Sequence, residues 1–139
     1  NPLRIGIAGL GTVGAGVVRI LQTHGDDIAR RAGRPITITA VNAKDKKKKR
    51  DVDVSKHKWV DDPIALADAK DVDVVVEAAG GTAVEPILVA ALAAGKPVVT
   101  ANKELLAHPR LAAATVPIES RPDWRLWTDD FNNLVQVLK

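Results

Sequence analysis

Near the start of the chain, Gly9-Leu-Gly11-Thr-Val-Gly14 ends an apolar run and opens a stretch with helical spacing. Few short sequences restrict a fold as strongly. The run before it, Leu3 to Ala8, alternates large apolar residues as a strand does, and after it Val13, Val17, Val18, Ile20 and Leu21 recur at the period of a helix face. The three glycines read as separate devices. Gly9 turns the chain off the strand, Gly11 lets backbone approach a ligand, and Gly14 lets the helix pack close to the sheet. A helix start presents unsatisfied N–H donors and the positive end of the macrodipole, so the ligand that suits this corner is a diphosphate. The competing reading is a glycine-rich turn with a purely structural role.

The rest of the chain continues the alternation of strand and helix. Helix is predicted over Thr12 to Thr23, with a further turn or two over Asp26 to Ala32 closed by Gly33. Ile36 to Val41 alternates β-branched and apolar residues and reads as a second strand, parallel to the first because a helix separates them. Asn42 to Lys56 is polar and charged and reads as a mobile loop, with a short strand at Lys58 to Val60 beyond it. Asp62-Pro63 marks a helix start, with Asp as cap and Pro at the first helical position, and the helix is expected over Pro63 to Ala69. Asp71 to Val76 is nearly all β-branched, the pattern of a strand covered on both faces. A small-residue helix over Pro86 to Ala94, closed by Gly95, and a strand over Pro97 to Thr100 follow. This order predicts a doubly wound, mostly parallel α/β sheet in a single domain. Residues 1–107 form that domain, and 108–139 read as a C-terminal extension packing on it. Within the extension Arg110 to Ala114 and Phe131 to Leu138 read as helical, with Asp129-Asp130 capping the latter, and Trp124 to Trp127 reads as a strand.

Composition narrows the chemistry. The 139 residues contain no cysteine, which excludes disulfides, thiolate catalysis and Cys-based metal sites. His24, His57 and His108 share no metal-ligand spacing, so no metal site is expected. No apolar stretch or leader calls for a membrane, and the chain reads as soluble and cytoplasmic. The net charge of +3 is concentrated in Lys44-Asp-Lys-Lys-Lys-Lys-Arg50, without interleaved aromatics, so nucleic acid is a minor reading.

The strand ends carry the candidate chemistry. Sites of this kind hold an acidic residue at the end of the second strand, where it accepts hydrogen bonds from the adenosine ribose. Here that strand ends in Asn42-Ala43-Lys44, so a 2′-phosphate would meet cations, which favours NADP over NAD. Lys44 lies nearest the strand end, whereas Lys46 to Lys49 read as a solvated surface loop. Gly80-Gly81 follows the third long strand, either as a turn pair or as backbone passing close to a ligand. Thr100-Ala-Asn102-Lys103 follows the next strand, where the Lys103 ammonium is placed to polarise a carbonyl or pair with an anion.

Taken together, Gly9-Leu-Gly-Thr-Val-Gly14, Val72-Asp-Val-Val-Val-Glu77 running into Gly80-Gly81, and Val98-Val-Thr-Ala-Asn-Lys103-Glu-Leu-Leu-Ala107 resemble the nucleotide-binding domain of homoserine dehydrogenase over residues 3–107. The resemblance implies a Rossmann fold. It also implies an NADP(H)- or NAD(H)-dependent interconversion of aspartate semialdehyde and homoserine, on the way to threonine and methionine. By the same resemblance Thr12 and Val13 lie against the cofactor diphosphate, the position of Lys44 meets the 2′-phosphate, and Lys103 sits near nicotinamide and substrate as the catalytic candidate. The family's substrate domain, through which it dimerises, has no counterpart in the residues read here. The isolated chain is therefore expected to bind NADPH and to turn over homoserine poorly. A non-catalytic nucleotide-binding or scaffold module, and a dehydrogenase of another small aldehyde or amino acid, are the alternatives.

Overall fold

The structure, a computed structural model, describes residues 1–80 and 85–101. Gly81, Asn102 and Lys103, and every element expected beyond residue 107, lie outside the described residues. Five parallel strands, β1 (Leu3–Ala8), β2 (Ile36–Asn42), β3 (Lys58–Trp59), β4 (Val74–Glu77) and β5 (Val98–Thr100), form one sheet in the order β3-β2-β1-β4-β5. Helices α1 (Thr12–Ala32), α2 (Ala65–Asp68) and α3 (Glu85–Ala93) cover it. The predicted doubly wound parallel sheet is thus the observed one.

Period-two alternation explains how the sheet is covered twice. Ile5 and Ile7 of β1, Ile38 and Val41 of β2 and Val74 of β4 pack with Ala15 and Val18 of α1. Ala8, Ala40 and Val75 point to the other face, against Leu66 and Ala67 of α2 and Ile87, Leu88 and Ala91 of α3. Side chains that alternate along a strand give each face its own core. The second face is lined by small residues, so α2 and α3 approach the strands closely. Between the two registers Thr39 forms an irregularity in the β1–β2 ladder, and its hydroxyl donates to the carbonyls of Ile5 and Asp71 at 3.2 and 2.8 Å.

The expected break in the first helix is a kink within one element: His24 leaves helical geometry at φ −122°, ψ 22°, and the helix resumes to end at Gly33. A polar cleft lined by Leu21, Gln22, His24, Asp26, Asp27 and Arg30 opens at this kink. It lies about 18 Å along the helix from the glycine turn.

Most boundaries fall within one residue of expectation, and two elements begin two or more residues late. α2 is shorter than Pro63 to Ala69 because its approach uses i→i+3 bonds: Ala65 and Leu66 donate to Asp62 and Pro63. The Asp62 carboxylate still accepts the Ile64 N–H at 2.9 Å. β4 begins at Val74 instead of Asp71 because the Arg4 N–H is taken by the Asp73 carboxylate at 2.9 Å. Asn42, expected in the loop, closes β2; residues 43–56 lack regular structure, as expected, but the expected mobile loop is anchored: Val52 is buried in the α1-side core, Arg19 pairs with Asp51, and the Gln22 amide donates to the Asp53 carbonyl.

Arg4 and Asp73 also pair through their side chains, at 2.8 and 3.1 Å. The side-chain hydrogen bond from Arg4 is the main reason the Asp73 carboxyl falls from 3.8 to about 2. A carboxylate depressed in the folded state contributes stability above its unfolded pKa and loses it as pH falls through the folded value. The stability gap between wild type and Asp73→Asn is therefore expected to be full near neutral pH and to close between about pH 4 and pH 2, read by urea unfolding across that range. A gap that stays constant with pH would contradict the pairing.

Candidate functional site

One line of register crosses the carboxyl end of the sheet. Asn42 pairs with Ala8, Ala8 with Glu77, and Glu77 with Thr100. At strand spacing this row is about 14 Å long, and every loop that follows it leaves from the same edge. The chain runs β1, β2, β3 to one side and resumes with β4 and β5 on the other, so the topological switch lies between β1 and β4. Open α/β sheets hold their ligands at such a point.

The glycine turn of β1 sits there. Gly9 has φ +100°, and a Cβ built on it would stand 2.5 Å from the Ala79 nitrogen. Only glycine lets the turn lie on the β4 loop. Gly14 is tighter still, since its Cβ would stand 1.8 Å from the Gly9 carbonyl oxygen. The expected role of Gly14, close packing on the sheet, is thereby corrected to close packing on the turn itself. Among the described residues a Cβ on Gly11 would meet nothing within 4 Å, which leaves space in front of the turn.

That space faces the start of α1. Gly11 is the N-cap in an extended conformation, no side chain caps the helix, and its first turn contains no acid. Gly11, Thr12 and Val13 are exposed. The Gly11 carbonyl accepts the Ala15 N–H at 2.9 Å, so the helix proper begins directly behind the opening. Free donors, positive helix end, room at Gly11 and absence of a competing carboxylate all fit a diphosphate.

At the β2 end, Asn42 is buried and its side-chain NH₂ donates to the carbonyls of Val60 and Asp61 at 2.7 and 3.1 Å. The group is engaged in tying β2 to the chain beyond β3. Lys44 is exposed two residues further on. The lysine run is not simply solvated: Lys46 Nζ and the Arg50 guanidinium lie 5.7 and 5.8 Å from the Trp59 ring centre. Arg50 also donates to the carbonyls of Asp45 and Lys48 at 2.6 and 3.0 Å, which folds the basic loop over β3. Sequence reading gives Trp59, Arg50 and Glu77 no individual role at this edge. For Glu77 a signal was present, since a lone acid closing a β-branched strand buried on both faces needs partners.

At the β4 and β5 ends, Gly80 is exposed at φ 76° and Thr100 is half-buried beside Glu77. The structure thus brings Gly9, Gly11, Thr12, Val13, Gly14, Gly80 and Thr100 to one edge, with Lys44 at its β2 end.

Fold and edge define a class, a nucleotide-binding α/β domain of Rossmann topology. Comparison with known proteins narrows it. The family described as homoserine dehydrogenase, NAD binding domain, matches residues 9–116. The homoserine dehydrogenase of Bacillus subtilis is 47% identical over 106 residues, 76% of this chain and 24% of that protein, and the one from Neisseria gonorrhoeae is 45% identical over 109 residues, 78% and 25%. A homoserine dehydrogenase structure from Thiobacillus denitrificans superposes with a TM-score of 0.74 at 34% identity, covering 82% of this chain and 27% of that one. One from S. aureus gives 0.72 at 35%, covering 82% and 29%. The chain belongs to the homoserine dehydrogenase NAD-binding domain family, so it is a nucleotide-binding domain whose cofactor is a nicotinamide dinucleotide. It spans about a quarter of the length of the curated relatives it matches. Among the described residues no helix is long and apolar enough to cross a membrane.

Proposed function

We propose that this domain binds NADP(H) across the carboxyl edge of its sheet, as the dinucleotide-holding part of a cytoplasmic dehydrogenase that interconverts aspartate semialdehyde and homoserine. The observation that carries the reading is the uncapped, acid-free start of α1 behind the open space at Gly11. In this arrangement the N–H groups of Thr12 and Val13 meet the diphosphate. Gly9 and Gly14 hold the turn in the shape that presents them.

At the adenosine end β2 closes with Asn42 and offers no carboxylate to repel a 2′-phosphate, while Lys44 stands free of the packed loop and Lys46 and Arg50 gather over Trp59. This favours NADP over NAD. At the other end Gly80, Gly81, Thr100 and Asn102 border the nicotinamide half, and Lys103 polarises the carbonyl being reduced. The bound nicotinamide supplies the hydride. Substrate-holding groups, and any homodimer contact, belong in this reading to parts of the family protein that the chain does not match.

Parallel titration of wild type and Lys44→Asp with NADPH and NADH tests it. Wild type is expected to prefer NADPH by about tenfold, the worth of one charged hydrogen bond to phosphate, and the variant is expected to lose that preference. Equal affinities in both proteins would remove the 2′-phosphate assignment. Absence of binding to either would remove the dinucleotide site.

A further inference from the structure

Glu77 ends β4 in the middle of the carboxyl edge and is fully buried. Among the described residues it is the one charged side chain that is buried. Burying a carboxyl between two apolar layers is costly unless its oxygens find donors. Val74, Val75 and Val76 show what the interior of this strand otherwise prefers.

Both oxygens accept hydrogen bonds, and their donors among the described residues lie at the edge. Oε1 accepts the N–H groups of Ala79 and Gly80 at 2.8 and 3.0 Å, and Oε2 accepts the Thr100 hydroxyl at 2.6 Å. The backbone adds to the same knot: Ala101 donates to the Glu77 carbonyl at 3.1 Å, and Ala78 donates to the Ala8 carbonyl at 2.8 Å. Because the space a Gly9 Cβ would need is filled by the Ala79 backbone, the loop that Glu77 curls is the loop on which the glycine turn rests. One side chain therefore sets the spacing between the β1 turn, the β4 loop and the β5 end.

We infer that Glu77 is a positioning residue for the nicotinamide half of the site, holding the Ala79-Gly80 backbone and the Thr100 hydroxyl in fixed relation to the glycine turn. The inference rests on the dinucleotide reading above. Without the carboxyl, two N–H groups and a hydroxyl lose their acceptor and the β4 loop is free to lift from the turn. The adenosine half, at β2, does not depend on this knot.

The full chain, as wild type and Glu77→Leu, is titrated with NADPH and with 2′,5′-ADP, which carries the adenosine half and no nicotinamide. Glu77→Leu is expected to weaken NADPH about tenfold, as the loss of a buried acceptor implies, and to leave 2′,5′-ADP within about twofold. A merely structural role would weaken both together, and that result, or no change in either, overturns the inference. If Glu77→Leu fails to fold by circular dichroism, Glu77→Asp keeps a carboxyl but withdraws it by about 1.5 Å. The ratio of the two affinities is then expected to move in the same direction, and an unchanged ratio overturns the inference. Wild type that binds neither ligand defeats the dinucleotide reading itself, a separate outcome.

Discussion

Gly14→Ala is expected to destabilise the domain by about 3 kcal/mol or more and to abolish nucleotide binding in whatever fraction folds. The added methyl would stand 1.8 Å from the Gly9 carbonyl oxygen, inside any permissible contact, and the neighbour is backbone that cannot rotate away. Relief requires α1 to move off the turn, which separates the helix start from Gly9 and Gly11. Two nearby glycines serve as controls. Gly16 lies in the same helix with nothing among the described residues within 4 Å of its Cβ position, so Gly16→Ala is expected to gain about 0.5 to 1 kcal/mol from helix propensity. Gly11→Ala also meets no atom of the described residues and is expected to leave stability intact while weakening NADPH, because the methyl enters the space proposed for the diphosphate. Denaturant unfolding and NADPH titration of the three variants read these effects. Equal stability of Gly14→Ala and wild type would show that the turn is not packed as described.

Leu66→Ala is expected to cost about 3 kcal/mol. Leu66 is fully buried where α2 meets the sheet and α3, in a cluster with Ala8, Val72, Val75, Ile87 and Leu88. Its loss leaves a cavity that the small residues around it cannot fill. The position has a specific neighbour: a Cβ on Gly6 would stand 3.1 Å from Leu66 Cδ2 and from Val72 Cγ1. Leu66 thus occupies room that β1 vacates by carrying glycine there. Adding Gly6→Ala to Leu66→Ala is expected to recover part of the loss, whereas Gly6→Ala alone must displace Leu66 and Val72. Losses that simply add across this pair would argue against the contact. The ammonium of Lys96 supports the same corner, donating to the carbonyls of Ala69 and Leu66 at 2.5 and 3.3 Å, and burial lowers its pKa.

The local elements were legible because their signals are local. The apolar alternation before Gly9, the helical spacing after it and the β-branched run ending at Glu77 each occupy a few consecutive residues, and the observed strands and helices follow them. Boundaries shifted where a side chain replaced a backbone partner, as Asp73 does for the Arg4 N–H, or where i→i+3 bonds tightened a turn, as before Ala65. The basic run near Lys44 reads as solvated because charge alone says nothing of a tryptophan about ten residues away; folding brings Lys46 and Arg50 over Trp59.

The order of strands and helices along the chain, and the parallel sheet they imply, were already written in the linear pattern, as was the glycine turn that we propose for a diphosphate. All of these rest on periodicity and on conformations that glycine alone permits, which act between near neighbours. Tertiary structure alone decided that Gly14 packs on the Gly9 carbonyl, that Asn42 spends its amide on the chain beyond β3, and that Glu77 joins the β4 and β5 ends. Those outcomes depend on which atoms from distant segments come within hydrogen-bond or contact distance, and a linear pattern does not carry that information.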